Sequence, residues 1–276
     1  MTRSSGGFTQ EDRDVINKLL TKLTKVETKL TKVENTVTSL KGSLREANQV
    51  ISDQTKTINY LCSQINVANY RSDSNNQYGR REIMRVRGIT PELGNDPEKI
   101  VADIAQEIES ATRLAAAGTD KVAVNINLDC EKDIQRCHFL GKTTTKLVCK
   151  FQSYKQRMKF IRNKKIINSA TTGKYKDVFI GEDLTPLRAR LVWYIHHKFS
   201  HKFCNIHTMN GTIRMKKDAN DREWISVNNP DDLFKVLDNE NDFDLEFFNK
   251  GLHTFKILPQ KPLSPILFEF SDTEDE

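Results

Sequence analysis

From Ile16 to Ala68 the apolar residues recur in a seven-residue pattern without a break. Position a holds Ile16, Leu23, Leu30, Val37, Leu44, Ile51, Ile58 and Ile65. Position d holds Leu19, Val26, Val33, Leu40, Ala47, Gln54, Leu61 and Ala68, so Gln54 is the one polar member. No proline interrupts the run, and Gly42 is its one weak helix former. A lone helix cannot bury such a seam. The pattern therefore predicts a coiled coil over residues 15–69 that pairs with copies or partners. Two apolar positions in seven also explain a hydrophobic content of only 37%.

The run contains a repeat, Lys22-Leu-Thr-Lys-Val-Glu-Thr28 followed by Lys29-Leu-Thr-Lys-Val-Glu-Asn35. In a parallel homo-oligomer Lys22 at g faces Glu27 at e, and Lys29 faces Glu34. The g and e charges thus complement themselves, which disfavours a heteromeric coil. Valine at d (Val26, Val33) with leucine at a (Leu23, Leu30) shifts the preference toward three or more strands, with a dimer as the alternative. The oligomerisation residues expected are Leu23, Val26, Leu30, Val33, Val37 and Leu40, flanked by Lys22, Glu27, Lys29 and Glu34.

The net charge of +6 hides a segregation. Residues 136–217 hold 19 basic and 3 acidic side chains, a balance of +16. Residues 218–276 hold 5 basic and 15 acidic ones, a balance of −10. Such asymmetry points to a polyanion partner for the middle of the chain, bound with a marked salt dependence.

Several function classes find no support. No window approaches 18 consecutive apolar residues, so no membrane span is expected. Residues 1–14 read as a flexible N-terminus rather than a secretory signal. The five cysteines, at 62, 130, 137, 149 and 204, are odd in number and widely spaced. That suits reduced thiols in the cytoplasm, with access to the nucleus. His196, His197, His201 and Cys204 lack a fixed fourth ligand and read as basic surface, not metal site. The acid-rich stretch 238–246 lacks the glycine and spacing of a calcium loop. With no phosphate-binding lysine loop, nucleophile elbow or paired carboxylates, neither enzyme nor cofactor nor small-molecule substrate is expected.

Residues 70–80 break the heptad with Asn and Ser and read as a hinge. In 81–182, Met84 and Val86 alternate with Arg85 and Arg87 as in a half-buried strand. Asp96-Pro97 opens a helix with Ile100, Ile104, Ile108 and Ala111 inward. Strands are expected at 134–140 and 147–151. A helix follows over 153–167 with Tyr154, Met158 and Ile161 inward and Lys155, Arg157, Lys159, Arg162, Lys164 and Lys165 outward. A last strand is expected near 177–180. The order is β-α-β-β-α-β, a ferredoxin-like domain of the RNA-recognition type, but without that domain's aromatic strand motif. Residues 183–240 predict a small α+β domain. It has a helix from Thr185-Pro186, a hairpin at Asn210-Gly211, a strand at 224–227, and a short helix from Asn229 through Leu237. Residues 241–276 read as an acidic, partly disordered tail.

Four segments carry a family likeness. They are Ile83-Met-Arg-Val-Arg-Gly-Ile-Thr-Pro-Glu92, Arg136-Cys-His-Phe-Leu-Gly141, Leu147-Val-Cys-Lys-Phe-Gln-Ser-Tyr-Lys155 with Ile161-Arg-Asn-Lys-Lys165, and Asp183-Leu-Thr-Pro-Leu-Arg-Ala-Arg190. In this order behind a long coiled coil, the chain resembles the RNA-binding protein encoded by the first open reading frame of non-LTR (long interspersed element) retrotransposons, or a host gene derived from one. The resemblance covers residues 15–238. It implies a homotrimeric, non-enzymatic nucleic-acid chaperone that coats single-stranded RNA, or DNA, in a ribonucleoprotein. By position it implies RNA contacts at Arg81, Arg85, Lys142, Lys146, Arg162, Lys165 and Arg190, with Arg188 beside the last. Lysine stands where the family often has arginine in the loop and second helix, which lessens bidentate phosphate contact. The rival expectation is a coiled-coil protein–protein scaffold with a degenerate RNA-binding head.

Overall fold

A computed structural model describes residues 9–117, 123–141, 144–169, 174–237, 242–252, 256–259 and 264. By internal packing the chain divides into two units, one including the helix up to Gln64 and the other spanning Ile65–Leu258.

Helix α1 runs Gln10–Gly79. Its start is a capping box: Thr9 Oγ1 accepts from Asp12 N–H, and Asp12 accepts from Thr9 N–H at 3.1 Å. Along the helix, threonine hydroxyls donate to carbonyls one turn back, as Thr28 does to Thr24 at 2.8 Å. The seam residues stand in the open: Leu23, Val26, Leu30, Val33, Val37 and Leu40 are all 46–61% exposed.

The expected hinge over 70–80 is helical as far as Gly79. The heptad stops at Ser72 and Asn75, but the helix does not, because a different face takes over. Asn66, Tyr70, Asp73 and Gln77 fall one above another on one side of the helix. Asn66 exchanges two hydrogen bonds with the Leu258 backbone, both at 3.0 Å. Tyr70 Oη donates to Asp231 at 2.7 Å. Asp73 accepts from Arg188 at 2.9 Å. The Gln77 amide bridges the Asp183 carbonyl and the Thr185 N–H at 3.0 and 2.9 Å. Polar side chains hold this turn-rich sequence in place, and a hydropathy pattern cannot see them.

The first globular part contains β1 (Ile83–Arg87), α2 (Pro97–Ala116), a short α3 (Cys130–Asp133), β2 (Ile134–Phe139), β3 (Lys146–Phe151), α4 (Tyr154–Asn168) and β4 (Phe179–Glu182). The sheet order is β2-β3-β1-β4, with every neighbouring pair antiparallel. Met84, Val86, Leu147, Cys149, Phe151 and Ile180 point to one face and meet Ile100, Ile104 and Ile108 of α2 and Met158 and Ile161 of α4. Asp96 and Ser153 cap the two helices, each accepting from N–H groups of the first turn. After β1 the chain turns at Gly88, φ 74°. A Cβ there would sit 1.7 Å from the Asp177 carbonyl oxygen, so only glycine fits. The last strand lies two residues later than expected. Arg157, expected outward on α4, is buried: its Nη2 meets Glu182 at 2.7 Å in the core.

The second part contains α5 (Pro186–Phe199), β5 (Cys204–Met209), β6 (Thr212–Lys216), β7 (Ile225–Val227), α6 (Pro230–Phe234) and α7 (Leu245–Lys250). The sheet order is β5-β6-β7, antiparallel. The β5–β6 turn has Asn210 and Gly211 at φ 56° and 78°, as a two-residue hairpin of this composition requires. Helix α6 ends at Phe234 rather than reaching Leu237. The acidic tail expected from 241 is corrected over its described part. Phe243, Phe248, Leu252 and Ile257 join the core of α5, β6 and β7, so the unit extends well past 240. Among the described residues, no helix is long and apolar enough to cross a membrane.

Candidate nucleic-acid interface

The helices cover one face of the β2-β3-β1-β4 sheet and leave the other to the alternate residues of each strand. The registers place Lys146, Arg87 and Phe179 in one cross-strand row. The next row holds His138, Val148, Arg85 and Gly181, and the third Arg136, Lys150 and Ile83. No acidic residue stands in these three rows. Arg87, Arg136, His138 and Lys146 are exposed. Phe179, 51% exposed, is the aromatic residue of the face. Two carboxylates flank these rows in the alternation of β4: Asp177, exposed just before Phe179, and, beyond Gly181, Asp183. Asp183 is buried and paired with both Arg80, at 2.7 Å, and Arg85. Arg85 is thus a half-buried, already paired cation, whereas Arg87 is free to meet phosphate.

Strands β4 and β5 are the facing edges of the two sheets, and a groove of about 480 Å³ lies along them. Arg85, Arg87 and Phe179 line one side, Trp193, His196 and His207 the other, and Lys164 also reaches in. Burial pushes the Lys164 ammonium below its ordinary lysine value. Glu182, the one acid in the groove, is fully engaged. It takes Arg157 and the N–H groups of Asn210 and Gly211, the latter two at 2.8 and 2.9 Å. Trp193 is 43% exposed, stacks on His197 with ring centroids 4.8 Å apart, and carries the Arg190 guanidinium at 4.2 Å. The groove therefore joins the cations Arg87 and Lys164 to the partly exposed rings of Phe179 and Trp193, the two elements of a single-strand binding surface.

The residues expected at the interface separate into three groups. Lys146 lies on the open sheet face. Arg81, two residues before β1 and at the end of it away from Lys146, is exposed and stacked on the Tyr78 ring at 4.2 Å. Arg162 and Lys165 are exposed on α4, across the sheet from Arg87 and Lys146, so one surface does not join all four. Lys142 lies outside the described residues. Arg188 is corrected from a surface contact to an internal tie, while Arg190 is half-buried. Arg188 is buried, bonded to Asp73, to the Gly211 carbonyl at 2.9 Å and to Asn228 at 3.2 Å. Arg190 donates to the Phe247 and Phe248 carbonyls and so closes the C-terminal end of α7.

Arg87, Arg136, Lys150, Phe179 and Trp193 were not singled out as contacts by sequence. The signal for Phe179 existed, since it alternates with the buried Val178 and Ile180. Trp193 likewise falls off the apolar stripe of Leu187, Leu191, Tyr194 and Ile195. No group of three or more His, Cys, Asp or Glu among the described residues is placed to hold a metal ion. The five cysteines are free thiols. No protein-family model matches the chain, and no curated protein matches it.

Proposed function

We propose that the protein is a non-enzymatic, homotrimeric binder of single-stranded RNA or DNA that works as a nucleic-acid chaperone within a ribonucleoprotein. The observation that carries this reading is the open sheet face, whose three cross-strand rows hold Arg and Lys and no acid, and which runs into a groove lined by Phe179 and Trp193. The β-α-β-β-α-β element order with sheet order β2-β3-β1-β4 supports an RNA-recognition-type domain for residues 81–182. The exposed Leu23–Leu40 seam supports self-association. Phosphate contacts through Arg87, Lys146, Lys150 and Lys164 give affinity with little sequence preference, and stacking on the two aromatic faces selects unpaired bases. Three heads on one coil add avidity wherever one strand reaches more than one of them.

Anisotropy of a labelled single-stranded RNA across a salt series tests the reading. The expected result is binding whose logarithm falls linearly with log salt, by about 0.7 per phosphate neutralised. Absence of binding at roughly 50 mM salt removes it. The scaffold reading draws on the pairing of Arg80 and Arg85 with Asp183, which withdraws two cations from the surface. It predicts weak RNA binding that salt does not alter.

A further inference from the structure

Beyond the groove, the β5-β6-β7 sheet carries a second exposed tryptophan with its own cations. Ile213 and Met215 of β6 are buried, which turns Arg214 and Lys216 to the other face. His207 of β5 lies directly opposite Arg214 in the register. Trp224, just before β7, is 42% exposed. Its ring meets His207 edge-on with centroids 4.8 Å apart and carries the Lys216 ammonium at 4.8 Å. Arg214 Nε is buried with no hydrogen-bond partner, a donor left without an acceptor. The loop leading to Trp224 holds Asp218, Asp221 and Glu223. Asp218 and Asp221 are turned onto backbone N–H groups of that loop, at 2.8 Å each.

His207 belongs to both places: it lines the groove and touches Trp224. We propose that Trp224 is a second base-stacking site, and that a single strand leaving the groove crosses His207 to set a base on its ring and a phosphate against Arg214 and Lys216. The inference rests on the single-strand reading above and extends the bound length beyond the groove. A tryptophan kept only for packing would be covered by apolar side chains. This one keeps two-fifths of its surface open beside the cations Arg214 and Lys216, the latter also donating to the Asp221 carbonyl.

The chain has two tryptophans, so Trp193→Phe leaves Trp224 as the sole indole reporter. Titration of that variant with a 20-nucleotide oligouridylate is expected to quench its emission saturably, and less so as salt rises. In the otherwise native chain, Trp224→Ala is expected to weaken binding about fivefold or more, while Trp224→Phe, which keeps an aromatic face, stays within about twofold. Far-UV circular dichroism of both variants separates a lost ring from a lost fold. If the Trp193→Phe chain binds by anisotropy but its emission is unmoved, or Trp224→Ala binds as tightly as the native chain, the second site is overturned and the groove stands. If the native chain does not bind at all, both fall together.

Discussion

The Arg188 guanidinium meets the Asp73 carboxylate at 2.9 Å, with both side chains more than nine-tenths buried. This pair joins the last turns of α1 to the first turn of α5. Removing one partner leaves the other as an uncompensated buried charge. Asp73→Ala is therefore expected to lower stability by about 3–5 kcal/mol, whereas the double replacement Asp73→Leu with Arg188→Met is close to neutral or stabilising. Urea unfolding of the three chains measures this. Trypsin cutting after Arg71 and Arg80 should be slow in the native chain and fast in Asp73→Ala, the opposite of what a hinge would give.

Arg87 lines the groove and Arg190 stacks on Trp193 at its side, but the two do different work. Arg87 stands on the open sheet face, while Arg190 is tied to the Phe247 and Phe248 carbonyls. Arg87→Ala and Lys150→Ala are each expected to weaken single-strand binding and to reduce the salt slope by about 0.7. Arg190→Ala should lower the melting temperature and leave the slope unchanged. Binding isotherms at several salt concentrations, beside a thermal melt, distinguish the two.

The contrast shows which parts of this molecule are legible in sequence. Elements that obey a hydrophobic period were readable: the heptad of α1, the alternation of Met84 and Val86, and the stripe of Ile100, Ile104 and Ile108. So were the helix starts at Asp96, Thr185 and Asn229, because capping is local chemistry. What escaped were tertiary polar contacts. Nothing local distinguishes the buried Arg157 and Arg188 from the exposed Arg162, since each is buried only because a carboxylate distant in sequence, Glu182 or Asp73, awaits it. The acidity of residues 238–246 likewise concealed Phe243 within it and Phe248 just beyond, which close the second core.

Lys164 gives a pH-dependent prediction with a definite sign. Burial lowers its folded-state value, while the unfolded chain keeps the ordinary one near 10.5. At neutral pH the charged ammonium therefore opposes folding. That penalty is complete below the lowered value and fades as pH rises through it toward 10.5, so this group makes stability rise with pH in that window. Lys164→Met removes the penalty and is expected to raise the melting temperature at pH 7, while single-strand affinity falls about two- to tenfold through a lost phosphate contact. A variant that melts higher and binds worse marks Lys164 as a group kept for the ligand; one that changes neither places its ammonium outside the groove's action.

The exposed seam of α1 supplies the last prediction. Leu30 and Val33 are each 57% exposed in the single chain, adjacent a and d positions with nothing on them. Burying such a ladder between copies is the main force available to the helix up to Gln64, where no described apolar side chain is buried. Light scattering is expected to give three times the 31.8 kDa chain mass for the native protein. Leu30→Asp with Val33→Asp places a ring of like charges at two successive core layers and should give the single-chain mass. The Ile65–Leu258 unit keeps both of its cores in that variant, so its near-native tryptophan emission should persist while helicity falls. Affinity for a strand long enough to reach several heads should drop about a hundredfold, and affinity for a strand that fills only one head should hardly change. Equal loss for short and long strands would mean that the seam supports each head rather than joins them.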